Sequence, residues 1–439
     1  MLSTIASVAS LLVGVAFLIS GHGLQLTLIP LRAAAEGWSP LAIGMIGSAY
    51  YVGFVAGCVA APFIILRAGH IRAFAALVSL CAAVSLLQGM MVAVVPWILF
   101  RFVIGVVFAG LYMIVESWLN DRASNENRGT IMSVYIAVNF GAITIGQLMV
   151  TLYAPTDFML FAMASIVASL AVIPVALTKS AQPAPIAVAR IRPLALWRAS
   201  PVGLVGVTVV GVAHGAFWAL CAVYALAEGL DAGQVAVFTG IATIAGALAQ
   251  WPAGRLSDRF DRRAVLAGLL VAAALVGVAL TFLSIAAWLW MPLAALFGAT
   301  AFPTYSVAAA HAYDHAPKGG YVATAAGLLL ANGAGAVVGP LLASALIEAT
   351  GNAAMLFLFI AFVQCALALF AVARMRYRAA PVVPAKTDFD LAATAAVGGV
   401  IPPEPLDPAD ELVLVPDAAM PATSAPGDMD EREGAGASP

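Results

Sequence analysis

"GRLSDRFDRR", residues 254–263, places six charged side chains in ten positions of a 439-residue chain of which 10% is charged. Apolar runs flank it, near 232–252 on one side and 264–286 on the other. About 20 apolar residues suffice to carry a helix across a hydrocarbon layer of roughly 30 Å. A short charged turn between two such helices has to stay in water. The stretch therefore reads as a membrane-surface loop, and the question it raises is what the charge does there.

The rest of the chain repeats this pattern. Its hydrophobic content is 63% and its mean hydropathy +1.01, whereas soluble domains hold about 45–50% apolar residues. Apolar runs between punctuation predict spans near 5–31, 41–66, 73–95, 97–119, 130–153, 157–178, 202–227, 232–252, 264–286, 287–312, 321–346 and 352–374. Twelve spans make an all-α membrane protein. The first run has no basic segment before it and exceeds the length of a signal-peptide core, so it reads as a spanning helix. The four cysteines are scattered through apolar runs with no Cys-x-x-Cys spacing, which predicts core thiols and no disulfide or metal framework.

An even count puts both termini on one side, and Lys/Arg bias in short loops orients the chain. With cytoplasmic termini, sixteen Lys/Arg fall in the inner segments, among them Arg67, Arg72, Arg128, Arg255, Arg259, Arg262 and Arg263, and the outer loops hold Arg32. Both termini are therefore expected in the cytoplasm of a multi-pass inner-membrane protein. Residues 1–378 carry 18 Lys/Arg against 11 Asp/Glu, whereas 379–439 carry 2 against 11. The Pro/Ala-rich, acidic tail from 375 to 439 lacks the apolar surface to repay ordering and reads as disordered.

The break "TKSAQPAPIAVARIRPLALWRASP" (178–201) has no sustained apolar run, so 179–201 reads as a cytoplasmic linker between bundles at 1–178 and 202–374. The two halves match in spacing. Arg67 lies 72 residues before Asn139 and Arg259 lies 73 before Asn332, while Asp121 and Asp314 stand 193 apart, as do Asn139 and Asn332. Duplicated bundles of this kind are a hallmark of transporter folds.

Orientation alone accounts for the arginines of 254–263 but not for Asp258, since acidic residues contribute little to topology. Alternating signs suggest pairing with neighbouring helix ends. Here Gly254, Asp258, Arg259, Arg262 and Arg263 resemble the Gly-x-x-x-Asp-Arg-x-Gly-Arg-Arg signature of the major facilitator superfamily, with Asp261 where that family usually has Gly. In the first-half copy, "PFIILRAGHIR" (62–72), Arg67, Gly69 and Arg72 match, but Pro62 and Leu66 replace Gly and Asp. "RFVIGVVFAG" (101–110) resembles the fourth-helix Arg-x-x-x-Gly element, and "NFGAITIGQ" (139–147) and "NGAGAVVGP" (332–340) resemble the glycine-rich fifth-helix motif and its repeat. "VESWLNDRASNENRG" (115–129) is similar to the YcaD-like bacterial branch of the superfamily.

The resemblance implies twelve helices in two pseudo-symmetric six-helix bundles and alternating access to a central site. It also implies that the charged loop is a latch closing the cytoplasmic side in the outward-open state. Gly254, Asp258, Arg259, Arg262 and Arg263 are the latch candidates, with Arg67, Arg72, Glu116 and Arg128 as first-half partners. Arg101 lies within the fourth span, where an uncompensated charge is costly; it is read as cavity-facing or as snorkelling to the interface. Glu116, fifteen residues on, is about 22 Å away along a helix, near the cytoplasmic end, in an inner-gate salt bridge or facing water. No carboxylate is then expected deep in a span.

His22, Gln25, His214, Trp218, Tyr224 and Tyr305 lie on spans that line the cavity in this family. Gly141, Gly146, Gly333, Gly335 and Gly339 are read as close-packing positions, with Pro340 permitting a kink, on two spans assigned to the rocking interface. The chain then reads as a secondary transporter of a small solute, neutral or amphipathic, with protons as the implied coupling ion, His22 and His214 as titratable candidates, and a lean to export. The competing reading is a non-transporting sensor or scaffold that signals through the acidic tail. No enzyme grouping, cofactor, metal or nucleic-acid partner is expected, and the protein is read as a monomer.

Overall fold

The computed structural model describes residues 2–122, 128–177, 193–283, 288–316 and 321–377. The elements are α1 (Leu2–Ala35), α2 (Pro40–Ala68), α3 (His70–Met90), α4 (Val94–Arg122), α5 (Arg128–Leu148), α6 (Phe158–Leu170), α7 (Val172–Ala176), α8 (Pro193–Ala199), α9 (Pro201–Ala227), α10 (Ala232–Arg259), α11 (Arg262–Phe282), α12 (Trp290–Ala301), α13 (Pro303–Tyr313), α14 (Tyr321–Thr350) and α15 (Met355–Met375), with a 3-10 turn at Met149–Leu152. Among the described residues there is no strand. Among the described residues, twelve spans are long and apolar enough to cross a membrane; the sixth joins α6 to α7 and the tenth joins α12 to α13. Most of the expected linker and all of the tail beyond residue 377 lie outside the described residues, and α8 is a short helix within 179–201.

Helices are the only open-ended element that satisfies every backbone group inside lipid, and their starts are marked locally. Ser39 caps α2 by accepting from the Ala42 amide, and Pro40 needs no amide partner at the first helical position. Its counterpart in the second half, α10, starts with a reciprocal capping box between Asp231 and Gln234.

Within the first half α2 packs on α4 and α1 on α5; within the second α9 packs on α14 and α11 on α15. The halves meet where α2 crosses α14 and α5 crosses α10. At the end opposite the charged loop, Leu24, Leu28, Ile43 and Ile46 of the first half share one apolar core with Phe217, Leu220 and Phe238 of the second. Toward the charged end, the apolar cores lie mostly in one half or the other. Apolar burial therefore ties the halves together at one end far more than at the other.

A central cavity and a charged clasp

A cavity of about 180 Å³ lies between the halves. His22, Tyr50, Tyr51 and Tyr112 line it from the first half, and His214, Trp218, Thr243, Gln250, Phe302, Tyr305 and Asn332 from the second. No Asp or Glu is among its lining residues.

One end is sealed by close helix crossings. A Cβ on Gly44 would lie 2.2 Å from Ser344 Oγ and 2.7 Å from the Pro340 carbonyl oxygen, so α2 and α14 touch almost backbone to backbone there. Ser48 Oγ donates to the Val337 carbonyl at 2.8 Å, and the Leu41 amide donates to Glu348 Oε2 at 3.3 Å. On the other crossing, Thr243 Oγ1 donates to Gln147 Oε1 at 3.3 Å. Toward the charged end α5 and α10 part. A second cavity of about 640 Å³ opens between Ser133, Gly141, Ile244 and Asp258. Phe140 and Gln250 line both spaces, so the second lies next to the central cavity on the side of the charged surface.

His22, His214, Trp218 and Tyr305 line the cavity. His214 Nε2 bonds the Ala301 carbonyl at 3.1 Å, and the His22 ring lies tilted against Phe108, centroids 4.1 Å apart, with Tyr50 Oη 3.4 Å from its Nε2. Tyr224 and Gln25 do not line the cavity. The Tyr224 hydroxyl donates to the Leu280 carbonyl at 2.7 Å behind the cavity wall, and Gln25 Nε2 donates to Ser85 Oγ at 2.5 Å within the first half. Each bonds within its own half, although Gln25 Oε1 has no hydrogen-bond partner in the protein. Tyr50, Tyr51, Thr243, Gln250 and Asn332 join the site unforeseen; the signal available was a polar side chain in an otherwise apolar run.

Glu116, six residues from the end of α4, is 1% exposed, which excludes the reading in which it faces water. Tyr135 Oη donates to its Oε1 at 3.2 Å. Arg67 and Arg72 are exposed at the charged end, and the Arg128 side chain lies outside the described residues. Arg101 is 5% exposed, with its guanidinium carbon 4.7 Å from the Tyr50 ring centre, so it does not snorkel. The glycine readings divide. Gly146, Gly335 and Gly339 pack against Ser20, Thr208 and Val212 of their own half rather than across the interface. Gly333 meets Val55 across it, and nothing lies within 4 Å of a Cβ on Gly141. Pro340 sits inside an unbroken α14. Cys365 is exposed on α15, not a core thiol.

The charged stretch is not the loop the sequence suggests: residues 254–259 end α10 and Arg262 and Arg263 start α11, leaving Phe260 and Asp261 as the turn, and it forms a clasp within the second half. Arg262, 1% exposed, reaches Asp314 at 2.8 Å and Asp258 at 3.3 Å; Asp314 is 1% exposed and Asp258 45%. Arg263 pairs with Asp261 at 2.8 Å and donates to the Arg374 carbonyl at 3.3 Å, tying the turn to the end of α15. Asp261 caps α11 by accepting from the Arg263 amide at 2.9 Å, which accounts for an aspartate where the signature has glycine. Partial burial pushes the Asp261 carboxyl up, but the Arg263 hydrogen bonds outweigh it and hold the group below the usual aspartate range. Arg259 and Arg255 are exposed, the latter over the Trp251 ring at 3.8 Å, and Gly254 is buried.

The sequence model of the Major Facilitator Superfamily matches residues 11–331 and 203–415, and the chain belongs to that superfamily. It is 27% identical over 359 residues to the MFS-type transporter YcaD of Escherichia fergusonii, a match covering 81% of this chain and 92% of that protein. It is 28% identical over 340 residues to YcaD of Escherichia coli, covering 77% and 88%. Among solved structures it is similar to a mutant of the nucleoside transporter NupG, with a TM-score of 0.74, 12% identity and coverage of 83% of this chain and 98% of that one. A bacterial homolog of the human lysosomal transporter Spinster, inward-facing and unoccupied, matches with a TM-score of 0.64 at 14% identity, covering 89% and 97%. The protein is a multi-pass inner-membrane transporter of the superfamily, with the twelve-helix fold.

Proposed function

We propose that the chain moves a small solute by alternating access, rocking residues 1–178 against 202–374, with both termini and the 254–263 stretch in the cytoplasm. The observation that carries the reading is the asymmetry between the two ends: closed at one by helix crossings that leave no room for a Cβ at Gly44, and parted at the other by a space between α5 and α10 that adjoins the central cavity and reaches Asp258. In this reading the described conformation is inward-open. His22, His214, Trp218 and Tyr305 contact the solute, and Asp258 latches the charged stretch to the first half, near Arg67 and Arg72, when the cytoplasmic side closes.

Proton coupling is assigned to Glu116. A carboxylate buried in a membrane span is costly as an anion, so its protonation is coupled to any motion that changes its surroundings. Flux in proteoliposomes with and without a pH gradient tests this. Glu116→Gln is expected to leave solute counterflow intact and to abolish the response to the gradient; a full response in the variant removes Glu116 from coupling. Export predicts uptake into inside-out vesicles when their lumen is acid. Rocking itself is read without solute: single cysteines at Ser133 and Ser48, in a background lacking the four native ones, should be labelled from opposite faces with reciprocal extents. Fixed labelling at both sites under every condition overturns alternating access.

A further inference from the structure

Arg101 is buried in α4 without a counter-charge. Among the described residues no carboxylate lies within ion-pair distance of it, and its Nε and Nη1 have no hydrogen-bond partner in the protein. The His22 ring, its neighbour toward the cavity, also has an unpartnered Nδ1. A guanidinium stays charged under all ordinary conditions and cannot relieve its burial by losing a proton. An arginine buried in a membrane span without a counter-charge is costly, and the face of Tyr50 offsets only part of that cost.

The position says what would complete it. Arg101 lines a small space of about 20 Å³ with Leu26, Tyr50, Tyr51 and Trp218. Those four residues also line the central cavity, so the small space holding the guanidinium adjoins the cavity; Arg101 itself is not among the cavity's lining residues. Below it the walls are mostly aromatic, with uncharged hydrogen-bonding groups at Thr243, Gln250 and Asn332. The repeat supplies no second cation there, since the residue 193 positions on is Ala294.

From this geometry we infer that the cavity binds an amphipathic monocarboxylate, its carboxylate on Arg101 and its apolar or aromatic body between Tyr50, Trp218 and Phe302. The inference rests on the transport reading and deepens it by naming the solute class. One guanidinium matches one carboxylate by charge-assisted hydrogen bonds. Aromatic walls reward an apolar body by burial, and a dianion would bring a second charge with no partner. Amines are disfavoured because the lining residues hold no acid to meet them.

The test uses the full-length purified protein and matched pairs on one skeleton: phenylacetate, 3-phenylpropionate and indole-3-acetate, each beside its primary amide and its amine. Ligand-induced thermal shift titrations should give acids an apparent affinity at least about tenfold above their amides, a difference worth about 1.4 kcal/mol. Arg101→Gln should bring the acid-to-amide ratio to about one while leaving amide binding in place, and Arg101→Lys should keep part of the preference. Acids that bind no better than amides in the wild-type protein overturn the inference without recourse to any variant, as does a panel in which no acid binds. A preference unchanged in Arg101→Gln overturns the assignment to Arg101. Because the cysteine labelling above needs no solute, a protein that rocks yet prefers amides loses only the anion subsite. A protein that does not rock loses the transport reading as well.

Discussion

The two halves share a backbone plan and divide the chemistry. In the first half the fourth helix carries Arg101 and Glu116 in its interior, whereas the positions 193 further on hold Ala294 and Ala309. In the second half the helix after the charged turn opens with Arg262, the centre of a clasp, whereas its first-half copy opens with His70, bonded to Ser117 at 3.1 Å. The turns themselves are made differently. Gly69 takes φ 76°, a left-handed value that favours glycine, while Asp261 holds φ −56° and caps the next helix with its side chain. Duplication supplied one scaffold twice. The first copy came to hold the buried charges nearest the site, and the second the charges that fasten one surface.

The largest contrast should lie in the acidic mates of the two fourth spans. Asp314→Ala leaves Arg262 buried without its 2.8 Å partner, a loss of about 3–5 kcal/mol for a broken buried pair. Asp121→Ala removes a carboxylate 37% exposed and 3.8 Å from Arg122, where the expected change is within about 0.5 kcal/mol. Unfolding of the detergent-solubilised variants measures both, and equal losses would erase the distinction between clasp and copy.

Next come the fifth-helix glycines. A Cβ on Gly339 would lie 2.0 Å from the Val212 carbonyl oxygen, so Gly339→Ala forces α14 from α9 at about 1–3 kcal/mol. Gly141, whose repeat mate is already Ala334, has open space around it, and Gly141→Ala should be neutral or stabilising by up to about 1 kcal/mol. Melting temperatures that move in the same direction would contradict the packing difference.

Asp258→Asn should change stability by less than about 1 kcal/mol, because the carboxylate is half exposed. Its effect belongs to the conformational balance. Labelling of a cysteine at Ser133, in the space between α5 and α10, should rise as the closed cytoplasmic state loses its latch. Labelling that stays level would exclude Asp258 from that role.

The smallest effect concerns Asp261. Its carboxyl titrates lower in the folded protein than in an unfolded chain, so its stabilising contribution is in place above the ordinary aspartate range and is lost as pH falls through the depressed value. Asp261→Asn should therefore separate slightly from wild type at neutral pH and converge with it in strong acid. Divergence that grows on acidification would reverse the sign of that linkage.

Twelve spans and the duplicated plan were legible before any coordinates. Lipid leaves the backbone little choice but the helix, so hydropathy along one dimension carries that information, and charge marks where the chain returns to water. Which side of each helix faces the partner half was not legible. Tyr224 and Tyr305 are both tyrosines in apolar spans, yet one bonds Leu280 behind the wall and the other lines the cavity. Glu116, near the end of its span by counting, is buried beside Tyr135. Rotation about a helix axis and the closeness of neighbours are set by packing between distant segments. Only the assembled bundles could decide which polar groups meet a solute, and which meet the protein.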